Sequence, residues 1–223
     1  MSENPFDPES VDELPARLRV FPLPSATLLP GIELPLNIFE PRYLNMTLDA
    51  LSDSRMIGMV QPQVVQEQAH TPVLYDVGCA GRITSFAETA DGRLMITLRG
   101  LCRFRLGEEL DLQRGYRSVV PSWLEFANDL DPVSPLETTI GELQGGLQEY
   151  LRAREVRVDW AGLGQISPAQ AIDFLAMNLP FSAEEKQALV EAKDSAARWQ
   201  VLLSIARMLS PSSALPPPGA TRH

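Results

Sequence analysis

Lys186, Lys193, His70, His223, Cys79 and Cys102 are the side chains of this 223-residue sequence suited to act as amine nucleophile, general base, metal ligand or thiol. Their placement serves none of these ends. A phosphate-cradling loop needs Gly-Lys followed by Ser or Thr, and no Gly-Lys pair occurs. Both lysines fall in predicted helices with the mixed charges of a solvated surface, a poor setting for the desolvated, pKa-lowered lysine of a Ser-Lys dyad. A histidine triad fares no better, because His70 lies in a polar loop and His223 is the last residue. The acidic pairs Asp129 and Asp131, Glu108 and Glu109, and Glu184 and Glu185 read as loop and helix-end solvation. No histidine or converging carboxylate joins them to form a metal site. No cofactor motif is present, so hydrolysis, metal chemistry and cofactor chemistry are not expected, and binding remains.

Charge narrows what could be bound. The net charge is −10 and the pI about 4.7, which argues against a broad phosphate-binding surface. Seven arginines nevertheless gather in the middle of the chain: Arg82, Arg93, Arg99, Arg103, Arg105, Arg114 and Arg117. They read either as solvated outer strand positions or as a local basic face. The opening MSENPFDPESVDELP is acidic and has the pattern of neither a secretory nor a transit peptide, and no apolar run reaches the ~18 residues of a membrane span. A cytoplasmic chain is expected. Cys79 and Cys102 fall in predicted strands and read as buried thiols that could touch across neighbouring strands.

The elements that must position a binding surface begin with a proline-broken stretch from Leu18 to Leu51. Pro22, Pro24, Pro30 and Pro35 exclude a central strand and place the segment along a sheet edge, a bulge or a barrel rim. Ile32, Leu34 and Leu36 alternate with Glu33 and Pro35, with one face inward. Pro41 opens a helix whose apolar stripe is Tyr43, Met46, Leu48 and Leu51. Met56 to Val60 is a short buried strand. From Val73 the chain is strongly β: Asp91-Gly92 suits a tight hairpin, Gly100 marks a bulge, and a further strand covers Tyr116 to Leu124. Five or six strands with a curved edge predict a small closed barrel.

Composition shifts at Asn128 to Pro135, a predicted hinge, and helices follow. Leu136, Ile140, Leu143, Leu147 and Leu151 form one buried stripe, and Gly141, Gly145 and Gly146 within it imply a close helix contact. Capping boxes at Ser167-Gln170 and Ser182-Glu185 place two helix starts, and Asp194 caps a last helix bearing Trp199, Leu202, Leu203, Ala206 and Leu209. The expected organisation is a loose tail over 1–14, a barrel over 15–127, a helical part over 133–209 and a mobile tail over 210–223.

Several of these stretches together resemble the amino-terminal, substrate-binding domain of Lon proteases. They are Phe21-Pro22, Leu29-Pro30-Gly31, Leu34-Pro35-Leu36 and the helix from Glu40 to Leu48. Tyr75 to Ile83, the hairpin from Asp91 to Phe104, and Glu184-Glu185-Lys186-Gln187-Ala188-Leu189 continue the likeness. The resemblance implies an α+β fold, a PUA-like small β-barrel of five or six strands plus a short helix followed by a C-terminal helical bundle. It also implies a standalone, non-enzymatic module without ATPase or protease parts that recognises unfolded polypeptide or a partner protein, a protease in trans being one such partner. Leu28, Leu29 and Ile32 would sit beside an unpaired strand edge, where an extended peptide adds backbone hydrogen bonds, with Phe39, Arg42 and Tyr43 bordering the groove. The competing reading of these residues is that they close the barrel core. The alternative function, by likeness to PUA folds, is RNA binding.

Overall fold

Proline placement decides where the opening strands can lie. In the computed structural model, which describes residues 6–24, 26–63, 72–132 and 135–210, strand β1 (Leu18–Pro22) ends on a proline and β2 (Glu33–Ile38) carries Pro35. β2 pairs with a single strand, β5 (Leu94–Gln113), from Glu33↔Arg99 to Ile38↔Leu94. It is therefore an edge, where a missing N–H is tolerated; β1 instead pairs on both sides, so the expectation of no central strand fails there, its only proline being the last residue. With β3 (Met56–Val60), β4 (Val77–Glu88) and β6 (Tyr116–Ser122), the order runs β5, β4, β3, β1, β6, and β6 returns to β5 to close a five-stranded barrel. β1 and β3 are parallel, so a crossover must join them, and it carries β2 and helix α1 (Pro41–Leu51).

Helix α1 opens on Pro41, as proline at the first helical position predicts. Its buried residues are Tyr43, Met46, Thr47 and Ala50, whereas Leu48 is 48% exposed. The i, i+3, i+4, i+7 face thus takes the small Thr47 and Ala50 in place of Leu48, and Thr47 returns its hydroxyl proton to the Tyr43 carbonyl at 2.8 Å, so its burial is satisfied.

The predicted hairpin turn is present, with Gly92 at φ +81°. The predicted bulge follows: Ala80 pairs with Cys102 and Gly81 with Gly100, which leaves Leu101 as the extra residue. Around it β5 stays one strand of 20 residues, its first part pairing with β2 and β4 and its second with β6. Gly100 permits this geometry. Its N–H donates to the Ile32 carbonyl and its carbonyl accepts from Gly31, each at 2.9 Å, and a Cβ there would overlap the Leu29 backbone.

The two thiols point to opposite faces of the barrel wall, since Ala80 is the lateral partner of Cys102 and Cys79 that of Arg103. They do not meet across the strands. Burial, with Asp129 adding to it, pushes Cys79 well up and Cys102 up to about 12. Both upward shifts mean that the folded chain resists thiolate formation, so stability present below the ordinary thiol pKa of about 8.5 is lost as pH climbs above it, for Cys102 towards 12. Iodoacetamide labelling followed by mass spectrometry should find both cysteines inert at pH 8 until the chain unfolds. Rapid labelling of either in the folded protein would contradict this packing.

Helices α2 (Ile140–Ala153), α3 (Trp160–Leu163), α4 (Pro168–Asn178), α5 (Ala183–Glu191) and α6 (Ser195–Met208) complete the chain. Ser167 and Ser182 close the predicted capping boxes with Gln170 and Glu185, and Asp194 accepts from the Ala197 amide. The glycines of α2 divide. A Cβ at Gly146 would press on Trp199 and Leu203 of α6, the close contact expected, but one at Gly141 would meet only the Thr139 hydroxyl at 3.9 Å and Gly145 faces open space.

The barrel and the helices are joined by buried charge. Arg103, on β5, grips Asp129 with the two parallel donors of one guanidinium edge, Nε and Nη2, and donates through Nη1 and Nη2 to the carbonyls of Val190, Ala192 and Lys193 at the end of α5. Asp129 lies in a 3-10 turn at Leu124–Leu130, so the start of the predicted hinge is pinned to the barrel wall, while 133–134 lie outside the described residues. Residues 6–14, predicted as a loose tail, also pack: Pro8 and Leu14 are buried, Val11–Glu13 form a 3-10 turn, and Asp7 pairs with Arg99 at 2.9 Å. His70, His223 and all of the predicted C-terminal tail except Ser210 lie outside the described residues.

Candidate functional site

Register places an outward-facing surface on three strands. Along β2 the exposed Glu33, Pro35 and Asn37 alternate with the inward Leu34, Leu36 and Ile38. Asn37 is opposite Met95, which is opposite Ala87 of β4, and Pro35, Thr97 and Ser85 form the next row. The Ser85 and Thr97 hydroxyls bond at 3.0 Å, as side chains on one face must. Phe39 continues this face beyond Ile38, with the Arg93 guanidinium 5.8 Å from its ring centre. Phe39 is 60% exposed and Met95 44%. A phenylalanine and a methionine are thus held in water on a rigid sheet, beside a strand whose second edge has no strand partner among the described residues.

The six residues expected to line a groove separate into two groups. Leu28 and Leu29 are each 1% exposed, Ile32 8% and Tyr43 6%, so these four belong to the core. Leu28 reaches the wall where Gly81 and Gly100 leave room, and Tyr43 stacks on Phe21 at 4.2 Å. The physical reason is that the proline-broken segment folds back over β4 and β5, and its apolar side chains pack where Gly81 and Gly100 make room in preference to lining a rim. Phe39 and Arg42 stay outside. Arg42 pairs with Glu40 at 2.9 Å and lies over the Tyr43 ring, at the opening of α1 beside Phe39. Met95, Asn37 and Ala87 were not singled out beforehand. The available signal was a methionine at an outward position of an alternating strand, where a polar residue is the norm.

The clustered arginines do not form an open basic face. Arg82 donates to the Phe6 carbonyl, while Arg93, Arg99, Arg103, Arg105, Arg114 and Arg117 pair with Asp91, Asp7, Asp129, Glu125, Asp49 and Glu109 in turn. Lys186 is half-buried where a solvated position was predicted, and burial lowers its ammonium pKa. No group of three His, Cys, Asp or Glu close enough to hold a metal occurs among the described residues, and no helix there is long and apolar enough to cross a membrane.

Comparison with known proteins agrees with this architecture. Residues 17–207 match the family described as the ATP-dependent protease La (LON) substrate-binding domain. Lon protease 2 of Myxococcus xanthus is 25% identical over 197 residues, covering 87% of this chain and 24% of that protein. Lon protease of Treponema pallidum is 27% identical over 198 residues, covering 85% of this chain and 22% of that protein. The chain therefore spans about a quarter of the length of these relatives, and the family match lies on the substrate-binding domain and not on ATPase or protease modules. Among solved structures, a Lon N-terminal domain protein from Xanthomonas campestris superposes with a TM-score of 0.61 at 27% identity, covering 84% of this chain and 97% of that one. The N-terminal domain of Mycobacterium avium complex Lon protease, at 17% identity and a TM-score of 0.57 over 89% of this chain and 100% of that one, shares the fold. With the barrel, the helices and the match over residues 17–207 in agreement, the chain belongs to the Lon substrate-binding domain family.

Proposed function

We propose that the chain is a non-enzymatic polypeptide-recognition module that takes extended, unfolded segments on the outer face of β2, β5 and β4. The observation that carries this reading is the pairing of exposed Phe39 and Met95 with the open edge of β2. A strand added at that edge gains backbone hydrogen bonds while its alternate side chains settle on the apolar surface. Pro35 has no N–H to offer, so the added strand pairs most fully over residues 36–39, next to Phe39. Arg42 and Glu40 border that end and would orient polar groups of the client. RNA is disfavoured as the ligand, because the arginines that could meet phosphates are already engaged by carboxylates or a carbonyl.

The test is fluorescence anisotropy with carboxymethylated α-lactalbumin, which cannot fold. Phe39→Ala should weaken binding about tenfold, the value of one central aromatic contact. Leu112→Ala, at a 62% exposed site near the far end of β5, should leave it unchanged. Because the attraction is apolar, binding should persist at 0.5 M salt. Equal affinity of the Phe39→Ala chain and the original would remove this face from consideration.

A further inference from the structure

Arg82 and Arg99 stand directly opposite one another on β4 and β5. Like charges so placed repel, so the arrangement is favoured only with an anion beside it. The chain supplies one itself. The Asp7 carboxylate, 6% exposed, sits 2.9 Å from Arg99 Nη1. Arg82 Nη1 donates to the Phe6 carbonyl at 2.6 Å, and its guanidinium lies 5.6 Å from the Phe6 ring centre. An ion pair, a backbone acceptor and a cation–π contact thus reach two consecutive residues. A cleft of about 330 Å³, bordered by Phe6, Pro8, Glu13, Met56 and Arg82, remains between this segment and the sheet. Glu33, the neighbour of Arg99 on β2, is exposed, and the ion pair Arg99 makes is with Asp7.

We propose that the Arg82–Arg99 step is a recognition site for extended polypeptide segments in which an aromatic residue is followed directly by an acidic one, and that Phe6 and Asp7 are its tethered occupant in the free chain. The site rests on the polypeptide recognition proposed above and extends it. Arg99 lies opposite Glu33, at the other end of β2 from Phe39, and six strand residues span about 20 Å, so one extended client can cover both. Phe39 and Met95 then favour apolar side chains at one end, and the arginine step reads charge at the other. A tethered occupant has an effective concentration on the order of mM, so a client must present the same chemistry with better contacts, or several contacts at once, to displace it.

The experiment uses the full chain and a fluorescein-labelled peptide of its own residues 3–11, ENPFDPESV. The chain carrying F6A and D7N should bind this peptide about tenfold or more tightly than the original, in which the tethered copy competes. Adding R99A should abolish binding. R82A should weaken it through loss of the aromatic contact, and an unchanged thermal transition would show that each variant is folded. A peptide with Asn in place of the aspartate should bind the freed chain about tenfold less well. A folded F6A/D7N chain that binds the peptide no better than the original, or that binds it equally with R99A, overturns the proposal. If that same chain still takes carboxymethylated α-lactalbumin in a Phe39-dependent way, the tethered site alone has failed and the reading of the β2 face stands.

Discussion

Arg103→Ala is expected to lower the unfolding free energy by about 3–5 kcal/mol, the cost of leaving one partner of a buried ion pair alone. The residue is 2% exposed, and removing its guanidinium leaves the Asp129 carboxylate uncompensated in charge, with only the residue-103 N–H still donating to it, and strips the Val190, Ala192 and Lys193 carbonyls of their donor. Arg103→Lys should recover only part of the loss, since an ammonium cannot present two parallel donors to Asp129 while also serving the end of α5. Arg105→Ala is the control. Its partner Glu125 is 48% exposed, and an ion pair in water contributes at most about 1 kcal/mol. Urea titration of the three variants measures this ordering, and hydrogen exchange should show α5 losing protection first in Arg103→Ala. Equal midpoints for Arg103→Ala and Arg105→Ala would mean that the joint between barrel and helices is not held by this arginine.

Gly100→Ala is expected to cost about 3 kcal/mol, because its Cβ would meet backbone and not a side chain that can turn away. The Leu29 carbonyl cannot retreat without withdrawing Leu28 and Leu29, both 1% exposed, from the core they fill. The exchange of hydrogen bonds among Gly31, Ile32 and Gly100 would break with it. Gly31→Ala separates strain from collision. Gly31 has φ +79° and open space, so its loss should cost only the 1–2 kcal/mol of a left-handed non-glycine residue. Thermal unfolding of the two variants tests the order, and Gly31→Ala proving the more damaging would contradict the described approach of residues 28–32 to β5.

The capping boxes at Ser167 and Ser182, the Asp194 cap, the turn at Gly92 and the bulge beside Gly100 were all legible in the sequence, because each is a local requirement met by neighbours in the chain. The box at Thr139 and Glu142 was equally local and was hidden by Leu136, whose spacing extends the apolar stripe one turn before the helix begins. Contacts distant in sequence were less legible. Nothing near Gly146 distinguishes it from Gly141 or Gly145, since the difference is made by Trp199 and Leu203. Arg103 likewise reads as an outward strand residue until the end of α5 is brought against it. The candidate site divided for the same reason: an apolar residue in a proline-broken segment reads alike whether it is buried in the core, as Leu28 is, or stands outside it, as Phe39 does. Residues 6–14 were read as loose because their composition is acidic, and the arginine step that holds Asp7 lies some 75 to 92 positions away.

The most direct measurement is site-specific photo-crosslinking of carboxymethylated α-lactalbumin to chains carrying a photoreactive phenylalanine at Asn37, Met95, Leu112 or Met208. Asn37 and Met95 share the outer sheet face, whereas Leu112 and Met208 are exposed elsewhere at 62% and 76%. The account predicts strong crosslinks from the first two positions, competed by unlabelled unfolded protein, and background from the others. Crosslinks concentrated at Leu112 or Met208, with none at Asn37 and Met95, would contradict it.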